Sequence, residues 1–216
     1  MRAIVALTAG AVLLGGVFAP TLRAAQPPVA SAESPSDVVE TAAQSILKSL
    51  DRDRDAYRKD AAKREQLMTQ YLLPHLETQR AAQLVLGQHW RTATPDQRQR
   101  FVDAFYHSML NTYGAAVAEF TAGRLKVYHD PVDPGKTRTT VRTEIRNDAG
   151  SPVAVNYQME LTANGWQAYD VTVDGISYVK STRDDLGELI DAQGLEAVIS
   201  RLQKGEKFGQ KKGPHS

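Results

Sequence analysis

The sequence contains no cysteine, so neither a disulfide framework nor a bacterial lipoprotein anchor can form, and stability must come from an ordinary core. Charge of one sign is not in excess either, because 26 basic residues stand against 25 acidic ones in a chain of 216 residues. This balance lacks the basic excess of nucleic-acid-binding proteins, so we expect no nucleic-acid partner. After the first twenty residues, no stretch is long and apolar enough to predict a membrane span.

One apolar run lies at the N-terminus. Arg2 precedes an uncharged segment from Ala3 to Ala19, which is rich in alanine and glycine. A positive start, a short apolar segment and small residues after it are typical of a secretory signal peptide. We therefore expect residues 1–32 to be removed on export, with cleavage between residues 24 and 32 and preferably after Ala32. An uncleaved N-terminal anchor is the alternative interpretation.

Metal-binding patterns are weak. Asp51, Asp53 and Asp55 alternate like the opening of an EF-hand calcium loop. Ala56 and Ala62, however, stand where that loop needs glycine and glutamate. The five histidines form no H-E-x-x-H or related zinc spacing, and cysteine ligands are absent. We expect neither a metal site nor a cofactor.

Catalytic patterns are equally weak. The chain has no glycine-rich phosphate loop, and Ser177 lacks the second glycine of a nucleophile elbow. Asp170 and Asp174 fall on one face of a predicted strand and could act as an acid–base pair. Carboxylates that face water or arginine side chains are the simpler interpretation. No residue is predicted to be catalytic, and we expect the chain not to be an enzyme.

The part of the chain that follows residue 32 begins with a helical pattern. Ser34 followed by Pro35 predicts a helix start. The apolar residues that then recur at helical spacing, and are predicted to form the buried face, are Val39, Ala43, Ile46, Leu47 and Leu50. A second apolar helical face is predicted over residues 67–72, and a third helix over residues 78–86. These three segments predict a helical first half.

The strongest helix signal is Thr94-Pro95-Asp96-Gln97. It combines an N-cap, a proline at the first helical position and the glutamine of a capping box. A wide apolar stripe follows and continues to Phe120. From periodicity alone, core packing is the simpler interpretation of this stripe, and a wall for an apolar ligand is the alternative.

From Arg124 onward the period of the apolar residues changes to two, which predicts β-strands. The alternating runs cover residues 124–127, 138–145, 153–161 and 169–174. Turn signals at residues 147–150 and 163–165 separate them, so we predict an antiparallel sheet of about four strands with one apolar face. Two amphipathic segments between residues 186 and 202 close the pattern.

Helices that cover one face of an antiparallel sheet define the α+β fold class. The length remaining after residue 32 suits one domain, which we place at residues 33–204. Residues 205–216 are predicted to form a flexible basic tail.

Two blocks of the sequence carry a family resemblance. Residues 86–101 read LGQHWRTATPDQRQRF and fit the pattern L-G-x-x-W-x-x-A-T-x-x-Q-x-x-x-F, with T-Y following at residues 112–113. Residues 166–177 read WQAYDVTVDGIS and fit W-x-x-x-D-V-x-V-x-G-x-S. In this order they resemble the toluene-tolerance family, which includes the soluble periplasmic component of the Mla lipid-asymmetry pathway. The likeness covers roughly residues 35–204.

The resemblance implies a periplasmic carrier with a bound phospholipid as its cargo. The implied partners are an inner-membrane ABC transporter with an MCE-domain ring and an outer-membrane lipoprotein–porin complex. The implied fold is a curved antiparallel sheet packed by helices, with an apolar cavity between sheet and helices, and we expect a monomer. The chain departs from the family at residues 181–183, where Ser-Thr-Arg replaces Asn-Tyr-Arg, and at residues 75–77.

We predict that eight apolar residues line a slot for the acyl chains. They are Phe105, Met109, Val141, Val155, Tyr157, Val171, Val173 and Ile176. Two other interpretations suit the same helix-and-sheet pattern. One is an enzyme of NTF2-like shape that acts on a small apolar substrate, and the other is an adaptor whose apolar stripes are all core. A cluster of polar groups deep in a cavity would favour the enzyme.

Overall fold

The chain runs from helices to strands and back to helices, as the sequence pattern predicts. The computed structural model describes residues 33–119, 121–146 and 150–208. Its helices are α1 (Pro35–Leu50), α2 (Arg54–Lys59), α3 (Ala61–Tyr71), α4 (Thr78–Leu86), α5 (His89–Thr92), α6 (Pro95–Ala118), α7 (Tyr178–Gln193) and α8 (Leu195–Gln203). Its strands are β1 (Leu125–Val127), β2 (Arg138–Arg146), β3 (Pro152–Thr162), β4 (Gly165–Val173) and β5 (Ile176–Ser177). The predicted signal peptide, the turn residues 147–149 and tail residues 209–216 lie outside the described residues.

The two predicted helix starts have the hydrogen bonds that their sequences indicate. At α1, the Ser34 side chain accepts a hydrogen bond from the Asp37 backbone N–H at 3.1 Å. At α6, the Thr94 hydroxyl accepts from the Gln97 backbone N–H at 3.2 Å, and the Thr94 backbone N–H donates to the Gln97 side chain at 3.0 Å. This reciprocal capping box satisfies two backbone donors that would otherwise be unpaired at the helix end.

Removal of the α6 cap should destabilise the protein measurably. We expect Thr94→Ala to lower the free energy of unfolding by about 1 kcal/mol, because the Gln97 N–H loses its partner. Urea denaturation followed by circular dichroism measures this loss. Thr92→Ala removes a nearby exposed hydroxyl that only donates back to the His89 carbonyl, so it should change stability by less than about 0.5 kcal/mol. Equal losses in the two variants would contradict the capping role.

The strands form one antiparallel sheet in the order β1-β2-β3-β4-β5, so each strand pairs with its neighbour in sequence. The sequence predicts about four strands. The fifth is β5, which has two residues and pairs only with the end of β4. A β-bulge interrupts the β3–β4 pairing, because Gln158 pairs with Asp170 whereas Met159 pairs with Ala168. Tyr169 is therefore the extra residue of β4.

Three apolar clusters form the core of the described chain. The largest joins α4, α6, α7 and α8 around fully buried side chains, including Phe101, Leu186, Val198 and Ile199. A second cluster lies among α1, α3 and α6. The third lies between α1 and the sheet and contains Val38, Val141, Met159, Trp166 and Ala168. The helices therefore have a core of their own, and α1, α4 and α7 pack against the sheet.

Two details differ from the sequence-based expectation. In the first turns of α1, Val38 and Ala42 are buried rather than their neighbours Val39 and Ala43, so the buried face is rotated by one residue. The predicted loose tail also starts too early at residue 205. Phe208 is 8% exposed and belongs to the largest core cluster. None of the helices in the described ranges combines the length and apolarity that crossing a bilayer demands.

Candidate functional site

The strand pairings bring six of the eight predicted slot residues onto one face of the sheet. In one row, Val141 of β2 lies opposite Tyr157 of β3, which lies opposite Val171 of β4. In the next row, Val155 pairs with Val173, which pairs with Ile176 of β5. Residues paired across neighbouring strands point to the same side of a sheet, so all six share the face that α1 packs on. We call it the inner face.

The two ends of the inner face are covered differently. At the end under α1, Val141 is 3% exposed and belongs to the core cluster formed with that helix. Four residues toward the other end are outside the three core clusters of the described chain, and we call them the open end: Val155, Val171, Val173 and Ile176. Val155 is buried, but Val173 and Ile176 are 37% and 41% exposed. The open end is thus an apolar surface that is only partly covered.

The remaining two predicted slot residues lie on α6. Phe105 is 3% exposed and stacks between Phe101 and Tyr178, with ring centroids 5.9 and 5.7 Å away. Met109 is partly buried and packs against both helical clusters. Phe105 is therefore part of the helical core, as the simpler interpretation of the stripe had it. Whether either side chain also meets a ligand stays a prediction.

Tyr178 connects the open end to the aromatic side of α6. It follows Ile176 by two residues, and besides Phe105 it contacts Tyr113 edge-on, with ring centroids 5.4 Å apart. Burial raises the pKa of both tyrosine hydroxyls, so both ionise even less readily than an ordinary tyrosine. The backbone of α6 packs mainly on α3, α4 and α8, whereas the sheet packs on α1, α4 and α7. Within the described residues, α6 therefore does not pack along the strands that form the open end.

The inner face carries two hydroxyl groups, those of Thr143 and Tyr157. Thr143 was not among the predicted slot residues, and Tyr157 was predicted only as part of the apolar lining. Thr143 of β2 is 1% exposed and donates a hydrogen bond to the Val155 carbonyl at 2.7 Å. The Tyr157 hydroxyl has its pKa raised by burial, and a hydrogen bond with Thr143 partly opposes that rise. The Thr143 hydroxyl is satisfied by the Val155 carbonyl, and the two hydroxyls are a pair rather than a cluster of polar groups.

Two surface cavities among the described residues lie away from these residues. One holds about 460 Å³ between the start of α1 and residues 129–132, and the other holds about 50 Å³ between α3 and α6. None of the eight predicted slot residues borders either one. The predicted apolar cavity between sheet and helices therefore stays a prediction.

The candidate acid–base pair has a structural task. The Asp170 carboxylate accepts hydrogen bonds from the Ser177 hydroxyl at 2.6 Å and from the Val179 backbone N–H at 3.0 Å. The Asp174 carboxylate accepts one from the Ala154 backbone N–H at 3.3 Å. Asp170 thus holds the first turn of α7 to β4, and Asp174 holds the start of the β4–β5 turn to β3. Both carboxylates therefore have structural partners, which are backbone N–H groups and a serine hydroxyl rather than the water or arginine side chains that the sequence suggested.

The EF-hand-like aspartates are also accounted for by local structure. Asp53 is the N-cap of α2 and accepts a hydrogen bond from the Ala56 backbone N–H at 3.2 Å. Asp51 pairs with Arg54 at 2.7 Å, and Asp55 pairs with Arg58 at 3.2 Å. The charged segment is a capped, exposed helix rather than a calcium loop.

A comparison with protein families decides the relationship of the chain. The model of the MlaC protein family matches residues 40–204, which include nearly all of the helices, the whole sheet and the open end. The chain belongs to the MlaC family. The resemblance seen in the two sequence blocks is thereby confirmed.

Individual MlaC-family relatives are distant in sequence but similar in extent. The toluene tolerance protein Ttg2D of Pseudomonas putida is 26% identical over 165 residues, which are 76% of each chain. The intermembrane phospholipid transport system binding protein MlaC of Haemophilus influenzae is 18% identical over 79% of this chain and 81% of its own. A solved phospholipid-binding protein of Ralstonia solanacearum, in complex with a phospholipid, has a TM-score of 0.72 at 27% identity. That match covers 80% of this chain and 96% of the other. The α+β fold is therefore the fold of a phospholipid-binding protein.

Proposed function

We propose that this protein binds one phospholipid and carries it through water, with the acyl chains lying between the open end of the sheet and α6. The observation that supports this most is the partly covered apolar surface of Val155, Val171, Val173 and Ile176. It occurs in a chain whose solved relative was determined with a phospholipid bound. Monomeric soluble proteins rarely leave apolar strand residues together at a surface unless something binds there.

The energetics of a lipid explain why such a surface is useful. Two acyl chains contain about 30 methylenes, and each costs about 0.8 kcal/mol when exposed to water, so free diffusion of the lipid would cost roughly 24 kcal/mol. A protein slot with aliphatic and aromatic walls removes most of that cost. Exchange between bilayer and slot is then nearly balanced in free energy. The task needs apolar surface and shape rather than a reactive side chain.

The family relationship extends the proposal to the place and partners of the carrier. We place it in the periplasm as a monomer, where it would exchange lipid with an inner-membrane ABC transporter that has an MCE-domain ring. An outer-membrane lipoprotein–porin complex would be the second exchange partner. The name of the Haemophilus influenzae relative, an intermembrane phospholipid transport system binding protein, supports transport between membranes.

Native mass spectrometry of the purified protein tests the carrier function directly. We expect a species heavier than the polypeptide by the mass of one phospholipid, and organic extraction of the same sample should yield that phospholipid. Protein stripped of lipid and then incubated with phospholipid vesicles should regain the adduct. A chain that stays free of lipid both after purification and after incubation would contradict the proposal and favour the adaptor.

A further inference from the structure

A histidine and two carboxylates meet at the start of α1, away from the open end. His129 lies just after β1, and its Nε2 is 3.0 Å from a Glu40 carboxylate oxygen. Its Nδ1 is 3.5 Å from an Asp37 carboxylate oxygen. One ligand atom from each of the three residues can be chosen so that all lie within 4.8 Å of one another. Among the described residues, His129 is the ion-pair partner of both carboxylates.

The carboxylates are held in place by α1. Asp37 and Glu40 are three residues apart, so their side chains are neighbours on one face of the helix. The helix is fixed there by the Ser34 cap and by Val38, which is buried against the sheet. One Glu40 oxygen accepts a hydrogen bond from Gln44 at 3.1 Å, which leaves the other oxygen directed at His129. A carboxylate whose far oxygen is hydrogen-bonded is oriented before a ligand arrives.

The histidine is held by the sheet. On one side of His129, the Tyr128 backbone N–H donates to the Arg142 carbonyl at 3.0 Å. On the other side, Asp130 accepts two hydrogen bonds from the Arg142 guanidinium, both at 2.8 Å. The guanidinium also lowers the pKa of Asp130, whose charge is thereby matched. His129 therefore stands between two residues that are both fastened to β2.

The donor set of one imidazole and two carboxylates suits a transition-metal ion. Zinc sites commonly use three protein ligands from histidine and carboxylate side chains, and complete their tetrahedron with water. One imidazole gives an ion only one of its two nitrogens, and the ligand atoms of the three residues lie within 4.8 Å of one another. With metal–ligand bonds of about 2.0–2.1 Å, the ligand atoms of a tetrahedron are about 3.3 Å apart. Nε2 and the Glu40 oxygen, 3.0 Å apart, are near that spacing, whereas Asp37, which lies beside Nδ1 and is 53% exposed, has to rotate toward the Nε2 side to bind the same ion. Asp37 and His129 also border the surface cavity of about 460 Å³, which leaves room for water on the metal.

We infer that Asp37, Glu40 and His129 form a binding site for one Zn²⁺ ion, which joins the first turns of α1 to the segment after β1. Imidazole among the ligands selects zinc over magnesium or calcium, which prefer all-oxygen sites. The site does not depend on the proposed lipid carriage, because none of the eight predicted slot residues borders its cavity.

Isothermal titration calorimetry of the full chain without an affinity tag tests the site. Wild type should bind one equivalent of Zn²⁺ and show no comparable heat with Mg²⁺. We expect His129→Gln and Glu40→Gln each to weaken zinc binding at least tenfold, because each removes a ligand. His107→Gln is the matched control, since among the described residues His107 pairs with a single carboxylate, Glu65 at 3.0 Å, and it is similarly exposed. Its zinc affinity should stay within about twofold of wild type.

Neither ligand variant should misfold, so a loss of zinc binding can be attributed to the missing ligand. All three side chains are 40% to 53% exposed, so far-UV circular dichroism of the metal-free variants should match wild type. Absence of a saturable single site in wild type would overturn the inference. So would wild-type affinity in either ligand variant. Loss of binding in His215→Gln alone would likewise overturn it, because it would locate the zinc at a residue outside the described part of the chain.

Discussion

Val171→Asp should abolish lipid binding while leaving the protein folded. Val171 is partly buried on the inner face, where it lies opposite Tyr157 and belongs to the open end. An aspartate there would place an unpaired carboxylate against acyl chains, and such a charge costs several kcal/mol unless water or a cation reaches it. Because 1.4 kcal/mol corresponds to a factor of ten, we expect lipid occupancy to fall tenfold or more. Native mass spectrometry of variant and wild type, purified in parallel, measures the ratio.

Asn156→Asp is the matched control for this variant. Asn156 lies on β3 between Val155 and Tyr157, but it points to the outer face, where its pairing partner is Arg142. The substitution adds the same charge at a similar depth in the sheet without touching the slot, so lipid occupancy should remain at the wild-type level. Full occupancy in a folded Val171→Asp protein would remove this part of the inner face from the slot.

The carrier function and the slot assignment can fail separately. If wild type carries phospholipid and Val171→Asp carries it equally well, the protein is a carrier whose lipid lies elsewhere. If wild type never acquires phospholipid, the carrier function itself is wrong, whatever the variant does. In both cases the zinc titration remains informative, because it requires no bound lipid.

Helix positions could be predicted well because their signals are local. The cap at Thr94, the cap at Ser34 and the stop at Gly87 each depend on a few adjacent residues, and the structure has helix ends at all three. Gly87 has φ of +54°, a backbone conformation that side-chain-bearing residues avoid, which is why the chain ends α4 there. Such local choices are decided within one turn of chain, so the sequence alone records them.

The bulge in β4 could have been recognised but was missed. A regular alternation over residues 169–174 groups Tyr169 with Val171 and Val173, and leaves Trp166 and Ala168 on the opposite side. In the structure Trp166 and Ala168 share the inner face with Val171, because Tyr169 is the extra residue. The change in parity between Trp166 and Val171 was the available signal. A one-residue insertion that moves apolar residues between faces is how a bulge appears in sequence.

Periodicity could not separate slot from core, and it could not find the histidine cluster. Phe105 follows the apolar spacing of its helix and Val173 follows that of its strand, yet Phe105 is buried and Val173 is partly exposed. Spacing indicates which side of an element is apolar, but it does not indicate what covers that side. His129 lies about 90 residues from Asp37 and Glu40, a separation that no local zinc motif spans. The coverage of an apolar face and the meeting of His129 with the two carboxylates both arise only when the elements pack together.

Phe101→Ala should lower the free energy of unfolding more than the truncation of any other side chain on α6. Phe101 is 0% exposed, lies in the largest core cluster and stacks on Phe105 with an angle of 4° between the rings. Truncation of a fully buried phenylalanine removes its transfer free energy and leaves a cavity, so we expect a loss of about 3–5 kcal/mol. Folded domains are stable by only about 5–15 kcal/mol, so this is a large fraction. Urea denaturation of delipidated protein measures it.

Delipidated protein is the informative sample because bound lipid stabilises only the folded state and would raise the apparent stability of both proteins. If Phe101 supports the fold through core packing, its truncation costs the same with lipid removed. If its ring mainly contacted lipid, the cost would largely disappear on delipidation. Gln99→Ala, on the exposed side of the same helix, should change stability by less than about 0.5 kcal/mol in either sample. If Phe101→Ala lowered the free energy of unfolding of lipid-free protein by less than about 1 kcal/mol, this end of the α6 stripe would belong to the lipid slot rather than to the core.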